Sequence, residues 1–268
     1  MHNGRVLTRH TCVRGSEPAE SKGWVGMIGE MGTGLSNGPR GSDEVAFIFD
    51  LDGTLVDSVY YHVIAWHSAL EQAGIALSVW RIHRRIGMSG GLFINALARE
   101  LGHRLTATEI ETVQEAHERA YRGLAGGVRP LPGAGDLLRT LTDLGVAWAI
   151  ATSGRPAAAK ATLRLLEIPD GVPVVTRADV SRAKPDPDLL LLGARRLGAS
   201  MEDCIVVGDS VWDMLAARRA RSLGVGLLSG GYGREELEQA GAYRVYADPL
   251  DLLRHLDEVG VRLAEPGA

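Results

Sequence analysis

The segment Val45-Ala46-Phe47-Ile48-Phe49-Asp50-Leu51-Asp52-Gly53-Thr54-Leu55-Val56-Asp57-Ser58 decides how this chain is read. An unbroken apolar run rich in β-branched and aromatic residues predicts a strand covered on both faces, as in parallel sheets. Side chains alternate along an extended backbone. Asp50 and Asp52 therefore project the same way at the strand exit, Leu51 points opposite, and Gly53 lets the chain turn sharply. Two carboxylates so placed can divide a reaction between them. One attacks an electrophile or holds a metal while the other carries a proton, provided their surroundings push their pKa values apart. A bare Asp-x-Asp at a strand end more often does no more than cap a turn, so the meaning of the pair depends on the rest of the chain.

From Leu131 onward, strands and helices alternate. Strands are predicted at Ala147 to Ala151, Val172 to Thr176, Ile205 to Gly208, Val225 to Leu228 and Arg244 to Ala247. The helices between and after them are Gly135 to Leu144, Ala157 to Leu166, Asp188 to Leu197, Val211 to Ala220 and Leu250 to Val259. This rhythm predicts an α/β fold, a Rossmann-like three-layer core with helices on both faces of a parallel sheet. Ligands of such sheets bind outside the carboxyl ends of the strands. Asp50, Thr152 and Asp209 all fall there, so three groups distant in sequence are expected at one crevice.

Between Ser58 and Val128 the apolar residues keep helical spacing. Val59, His62, Val63, Trp66, Ala69, Leu70 and Ala73 form one stripe. Leu92, Ile94, Ala96, Leu97 and Leu101 form a second, and Ile110, Val113, Ala116, Ala120 and Leu124 a third. The expected organisation is a core of residues 44–58 and 129–268, with an all-helical cap of residues 59–128 inserted after the first strand. Residues 1–43 are dense in Gly, Ser and Asn and end in Ser36-Asn37-Gly38-Pro39-Arg40-Gly41-Ser42, which reads as a flexible tail. Met27 and Met31 are candidate downstream starts.

Bulk properties exclude several functions. The 268 residues carry a net charge of −4 with a pI near 6.1, which gives no basic face for nucleic acid. No apolar stretch is long enough to span a bilayer, and a membrane partner is not expected. Cys12 lies in the tail and Cys204 at the start of an apolar run, so a structural disulfide is not expected either. A cytoplasmic monomer is the default expectation. Lys occurs at positions 22, 160 and 184 alone, every other basic residue being Arg.

Residues 50 to 58 resemble the first signature of the haloacid dehalogenase superfamily. The other three signatures of that family follow in order. They are matched by Thr152 in Trp148-Ala149-Ile150-Ala151-Thr152-Ser153-Gly154, by Lys184 in Ala183-Lys184-Pro185-Asp186-Pro187-Asp188, and by Asp209 and Asp213 in Val206-Val207-Gly208-Asp209-Ser210-Val211-Trp212-Asp213. The resemblance runs from Val45 to the last helix. It implies a phosphotransferase that binds Mg²⁺ through Asp50, Asp209 and the main-chain carbonyl of Asp52. Asp50 is then the nucleophile that takes up the phosphoryl group. Asp52 protonates the leaving oxygen and later takes a proton from water. Lys184 contacts both the phosphoryl group and Asp50. Thr152, with a hydroxyl and an N–H at its strand end, suits a phosphoryl oxygen. Asp213 either steers metal-bound water or stabilises the start of its helix.

Asp52 sets the chain apart from dehalogenases, which attack carbon and need no proton donor there. The cap contains no Lys, which excludes the Schiff-base chemistry of phosphonoacetaldehyde hydrolases. A β-phosphoglucomutase-like mutase is the nearest rival, because His62 and Trp66 lie as in that family, where the His gates Asp52. Its pair of cap cations for a second phosphate is replaced here by Ile86 and Gly90. Arg155 could supply one cation, while Arg84 and Arg85 read as solvated. A non-enzymatic binding module is the remaining alternative. The expected activity is hydrolysis of a small phosphorylated metabolite. Ser153, Arg155, His62, Ser89 and Gly90 are the candidate substrate contacts, Ser89 and Gly90 because small residues at a helix start leave N–H groups able to meet a substrate. Met88 and Phe93 would add an apolar wall.

Overall fold

The computed structural model describes residues 45–100, 102 and 105–261. The tail of residues 1–43, with Cys12, Met27 and Met31, lies outside the described residues, as do Leu101 and residues 262–268. The chain opens with β1 (Ala46–Phe49), followed by β2 (Val56–Asp57). It then builds α1 (Val59–Gln72), α2 (Val79–His83), α3 (Gly90–Glu100) and α4 (Ala107–Leu124), and returns through β3 (Arg129–Pro130). Next come α5 (Ala134–Asp143), β4 (Ala147–Ala151), α6 (Pro156–Leu163), β5 (Val174–Val175), α7 (Asp188–Leu197), β6 (Cys204–Gly208) and α8 (Val211–Ala220). The chain closes with β7 (Leu223–Leu227), α9 (Arg234–Ala240), β8 (Ala242–Tyr246) and α10 (Pro249–Arg254).

Six strands form one parallel sheet in the order β5-β4-β1-β6-β7-β8. Every residue of β1 is fully buried, and its two faces enter different layers. Phe47 and Phe49 pack with Leu137, Trp148, Tyr246 and Leu256 on one side. Ala46 and Ile48 pack with Leu189, Leu190, Ala216 and Ala217 on the other. That alternation is the physical content of the apolar run, because a strand with helices on both sides cannot afford a polar face. Each such Phe contributes about 1.5–3 kcal/mol of burial.

The cap has its own core. Val63, Trp66 and Leu70 of α1 meet Ile82 of α2, Phe93, Ile94 and Leu97 of α3, and Val113 and Ala116 of α4. β2 pairs antiparallel with β3, Val56 opposite Pro130 and Asp57 opposite Arg129, so the chain leaves and re-enters the core side by side.

Several expectations are corrected by the structure. The strand expected at Val172 to Thr176 shrinks to β5, because Pro173 has no N–H to give the ladder. The helices α2 and α9 were not anticipated. Each is short and carries one buried apolar residue, Ile82 and Leu237, too little to form a stripe. The second cap stripe is Phe93, Ile94, Leu97 and Ala98, while Leu92 and Ala96 are only half-buried. The last helix stops at Arg254 and gives way to a tighter turn over Leu256–Val259.

Candidate active site

The strand order reverses direction at β1. The chain proceeds outward through β4 to β5 on one side, then returns to begin β6 on the other. A crevice therefore opens at the carboxyl ends of these strands. Phe49 is in register with Ile150 on β4 and Val207 on β6, which brings Asp50, Thr152 and Asp209 to the same edge. The Asp50 N–H bonds the Val207 carbonyl at 2.9 Å, carrying the ladder one residue past the strand.

Asp209 is 3% exposed, and its Oδ1 accepts from the Thr54 hydroxyl at 3.0 Å. Gly53, at φ +85°, and Gly230 both border this carboxylate. A Cβ on either would occupy the space of the Asp209 side chain, and at Gly53 it would also strike Val59. The Gly that ends the Asp-x-Asp turn therefore serves two needs, backbone sign and room for the third acid.

Lys184, in the loop before α7, is 1% exposed. Its Nζ donates to Asp50 Oδ1 and lies 2.7 Å from Asp213 Oδ1. Burial alone would lower the Lys184 pKa, but the carboxylates of Asp213 and Asp50 raise it above the ordinary lysine value. Asp213 sits in the first turn of α8, where its Oδ2 accepts from the Ser210 N–H at 3.1 Å and the Ser210 hydroxyl at 2.5 Å. One oxygen caps the helix and the other faces Lys184, so Asp213 serves the helix start and the charged centre together.

Asp50, Asp209 and Asp213 are all buried, with ligand oxygens within 4.8 Å of one another. Three carboxylates against one ammonium leave an excess of buried negative charge. Burial, helped by the Asp213 and Asp52 carboxylates, pushes Asp50 up to about 7 despite Lys184. Burial and the carboxylates of Asp213 and Asp50 push Asp209 well above the usual range. Hard oxygen donors with unmatched charge fit a divalent cation such as Mg²⁺. The side-chain cluster contains the expected Asp50 and Asp209 and adds Asp213, the expected ligand atom of Asp52 being its main-chain carbonyl. The Asp52 carboxylate turns aside, and its Oδ1 meets the Ser58 hydroxyl at 2.6 Å and His62 Nε2 at 3.2 Å. Any ligation by Asp52 falls to its main-chain carbonyl. Burial pushes Asp52 up, yet the His62 ring and the hydrogen bonds from His62 and Ser58 hold it below the usual carboxylate range.

Thr152 departs from its expected role in one respect. Its N–H is spent on the Val175 carbonyl at 3.0 Å, completing the β4–β5 ladder. The Thr152 hydroxyl accepts from the Gly154 N–H at 2.9 Å. Ser153 Oγ is buried and without a hydrogen-bond partner among the described residues, the condition of a hydroxyl that awaits a ligand.

A cavity of about 770 Å³ joins core and cap. From the core, Asp50, Asp52, Thr152, Ser153 and Arg155 line it; from the cap, His62, Ser89 and Gly90 do. Lys184, Asp209 and Asp213 cluster with Asp50 but do not themselves line the cavity. Arg155 is not free. Its Nη1 pairs with Glu118 at 3.0 Å and its Nη2 donates to Gln114. Arg84 and Arg85, read as solvated, are instead ion-paired with Glu236 and Glu100. Ser89 is 7% exposed and precedes α3 directly, and Gly90 abuts Trp66. Phe93 packs edge-on against Trp66 at 4.7 Å.

Sequence reasoning missed Thr54, Ser58, Gln114, His117 and Glu118. The first two lie inside the quoted segment, and their spacing from Asp50 and Asp52 was the available signal. Gln114, His117, Glu118 and Tyr121 follow three- and four-residue steps along α4. They form a polar edge beside its apolar stripe.

A family model described as a haloacid dehalogenase-like hydrolase matches residues 45–221. A crystal structure of a hydrolase from Pseudomonas syringae is 53% identical and superimposes with a TM-score of 0.79, over 81% of this chain and 99% of that one. Hexitol phosphatase A of Escherichia coli K12 is 34% identical over 65% of this chain and 78% of its own. β-Phosphoglucomutase of Bacillus subtilis 168 is 32% identical over 69% and 84%. The matched span contains β1, the whole cap, and the segments bearing Asp50, Thr152, Lys184, Asp209 and Asp213. The chain is an enzyme that belongs to the haloacid dehalogenase-like hydrolase family.

Proposed function

We propose that this phosphatase hydrolyses small organic phosphomonoesters in the cytoplasm with Mg²⁺, through a phosphoryl group carried on Asp50. The observation that carries the reading is the position of Asp50. It lines the cavity, is fixed by Lys184, and backs onto Asp209 and Asp213. The Asp50 carboxylate attacks phosphorus, the phosphorus–oxygen bond to the ester breaks, and the departing alkoxide takes a proton from Asp52. Water then attacks the phosphorus of the aspartyl phosphate and gives its proton to Asp52, which frees inorganic phosphate and regenerates Asp50.

Asp50, Asp209 and the Asp52 carbonyl would hold a divalent cation, which would supply positive charge to keep Asp50 ionised and to offset the phosphoryl oxygens. The phosphoryl dianion beside Asp52 raises that group's affinity for the proton it must donate. The hydroxyls of Thr152 and Ser153 serve the equatorial oxygens. Lys184 holds Asp50 in line and balances its charge. Ser89, Gly90 and His62 face the rest of the substrate.

A mutase reading draws support from the His62–Asp52 contact at 3.2 Å. It needs a cation for a second phosphate. Arg155, the candidate for that task, is already matched by Glu118 and Gln114, which favours net hydrolysis. The test is release of inorganic phosphate from an aryl phosphate with Mg²⁺, comparing wild type with Asp50→Asn. Equal rates would defeat the role given to Asp50; a hexose phosphate turned over to its isomer without phosphate release would favour the mutase.

A further inference from the structure

We propose that His117, on the cap helix α4, is a positioning residue for the proton donor Asp52 and acts through His62; this inference rests on the phosphatase reading above. His62 Nε2 stands 3.2 Å from Asp52 Oδ1, and His62 Nδ1 stands 3.1 Å from His117 Nε2. The three side chains form a continuous hydrogen-bonded line from the core into the cap. Rings pack along it. Tyr121 stacks on His62 at 3.9 Å and Trp66 on His117 at 3.9 Å.

The proposed direction of this line follows from where Asp52 receives its hydrogen bonds. Ser58 Oγ also donates to Asp52 Oδ1, at 2.6 Å, so Oδ1 receives two hydrogen bonds and Oδ2 is the oxygen left to exchange the proton with the reacting ester. Oδ2 lies on the side of Gly154, in the Thr152 loop. For His62 to donate to Oδ1 its proton must sit on Nε2. A neutral imidazole then carries a bare lone pair on Nδ1, which needs a donor. His117 Nε2–H is the group that supplies it. Burial holds His117 well below the ordinary histidine range, which keeps its ring neutral, and at 3.1 Å its Nε2 is the atom placed to give that donor. His117 thereby selects the tautomer of His62, His62 fixes the plane of the Asp52 carboxyl, and that plane aims Oδ2 at the leaving oxygen. Second partners that set a tautomer in this way are a known means of orienting a catalytic group.

The test exploits leaving groups. An alkyl phosphate leaves as a strongly basic alkoxide and needs the proton of Asp52. p-Nitrophenyl phosphate leaves as a stable phenolate and does not. His117→Phe keeps a ring against Trp66 but removes the donor. The expected result is a loss of about tenfold or more in kcat/KM for glycerol phosphate and of less than about threefold for p-nitrophenyl phosphate. His117→Gln, whose amide can donate to Nδ1, should recover part of the loss. Equal losses on both esters would overturn the proposal, because they would mean a general disturbance of the cap. So would unchanged activity on glycerol phosphate.

Nitrogen-15 spectra of the imidazoles in the wild-type protein need no variant. They should show His62 protonated on Nε2 and bare on Nδ1, and the opposite tautomer contradicts the proposal. Asp50→Asn in the same kinetic series separates the two levels of inference. Activity on both esters that survives this change removes the reading of Asp50 as the nucleophile. Activity lost there, with no leaving-group dependence at His117, removes the present inference alone.

Discussion

The hydroxyl of Thr54 donates to Oδ1 of Asp209 at 3.0 Å, a bond between residues 155 positions apart in sequence. It ties the turn after β1 to the end of β6, and both partners are buried. Thr54→Val keeps the shape and removes the donor. The buried carboxylate then loses a partner, a cost of about 1–3 kcal/mol, equivalent to a fall in Tm of a few degrees for a domain of this size. The same variant should need more Mg²⁺ for half-maximal activity, since Asp209 is less firmly held. Thermal denaturation and a metal titration measure both effects.

Lys184 is enclosed by Asp50 and Asp213. Lys184→Met leaves two buried carboxylates without their cation, and removal of one partner from such a group costs about 3–5 kcal/mol. A large loss of stability in urea is expected together with loss of hydrolysis. Lys184→Arg should restore part of the stability but little of the activity, because a planar fork does not fill the place of a compact ammonium.

Metal binding should appear as stability. The excess negative charge of Asp50, Asp209 and Asp213 destabilises the cation-free fold, so Mg²⁺ should raise Tm, by the equivalent of about 2.7 kcal/mol when its concentration is 100 times Kd. Asp209→Asn removes a donor and part of the repulsion. Its Tm without metal should equal or exceed that of wild type, and its response to Mg²⁺ should be much smaller. A variant that responds like wild type would place the cation elsewhere.

A pH dependence of stability is expected far from the site. Hydrogen bonds from Arg196, then from the Thr176 N–H and hydroxyl, hold Asp179 down at about 2. A folded value below the unfolded one gives stability that is complete above an ordinary carboxylate pKa of about 4 and is lost as pH falls toward 2. Asp179→Asn should therefore be less stable than wild type near neutrality. The gap in urea midpoint should narrow by about pH 3. A gap independent of pH would assign the loss to packing.

Substrate choice is expected to reside in the turn before α3. Bulky replacements at Ser89 and Gly90 should change relative rates over a panel of metabolite phosphates more than they change p-nitrophenyl phosphate hydrolysis. Unchanged relative rates would remove this turn from substrate recognition.

The layered core was legible because β1 and β6 are covered on both sides, and a strand in that position must be apolar throughout. The ends of those strands were legible for the same reason, since a carboxylate directly after such a run has nowhere to go but the edge. Short elements were hidden. α9 buries Leu237 alone, so no periodicity marks it. The link between His117 and Asp52 was hidden as well, because it depends on how α4 lies across α1, and the residues that meet there are 55 positions apart in sequence. Thr152 misled in its N–H. A strand-end amide looks open until the neighbouring strand is known to reach one residue further, as the Val175 carbonyl does.

The central claim is that Asp50 carries the phosphoryl group. Acid quenching during turnover of a phosphate ester with Mg²⁺, followed by mass spectrometry of the peptide that contains residues 50 to 58, reads this directly. One acid-stable, hydroxylamine-labile phosphoryl group on Asp50, absent from Asp50→Asn, is the expected result. A protein that releases phosphate steadily while that peptide is never modified, or is modified elsewhere, contradicts the account.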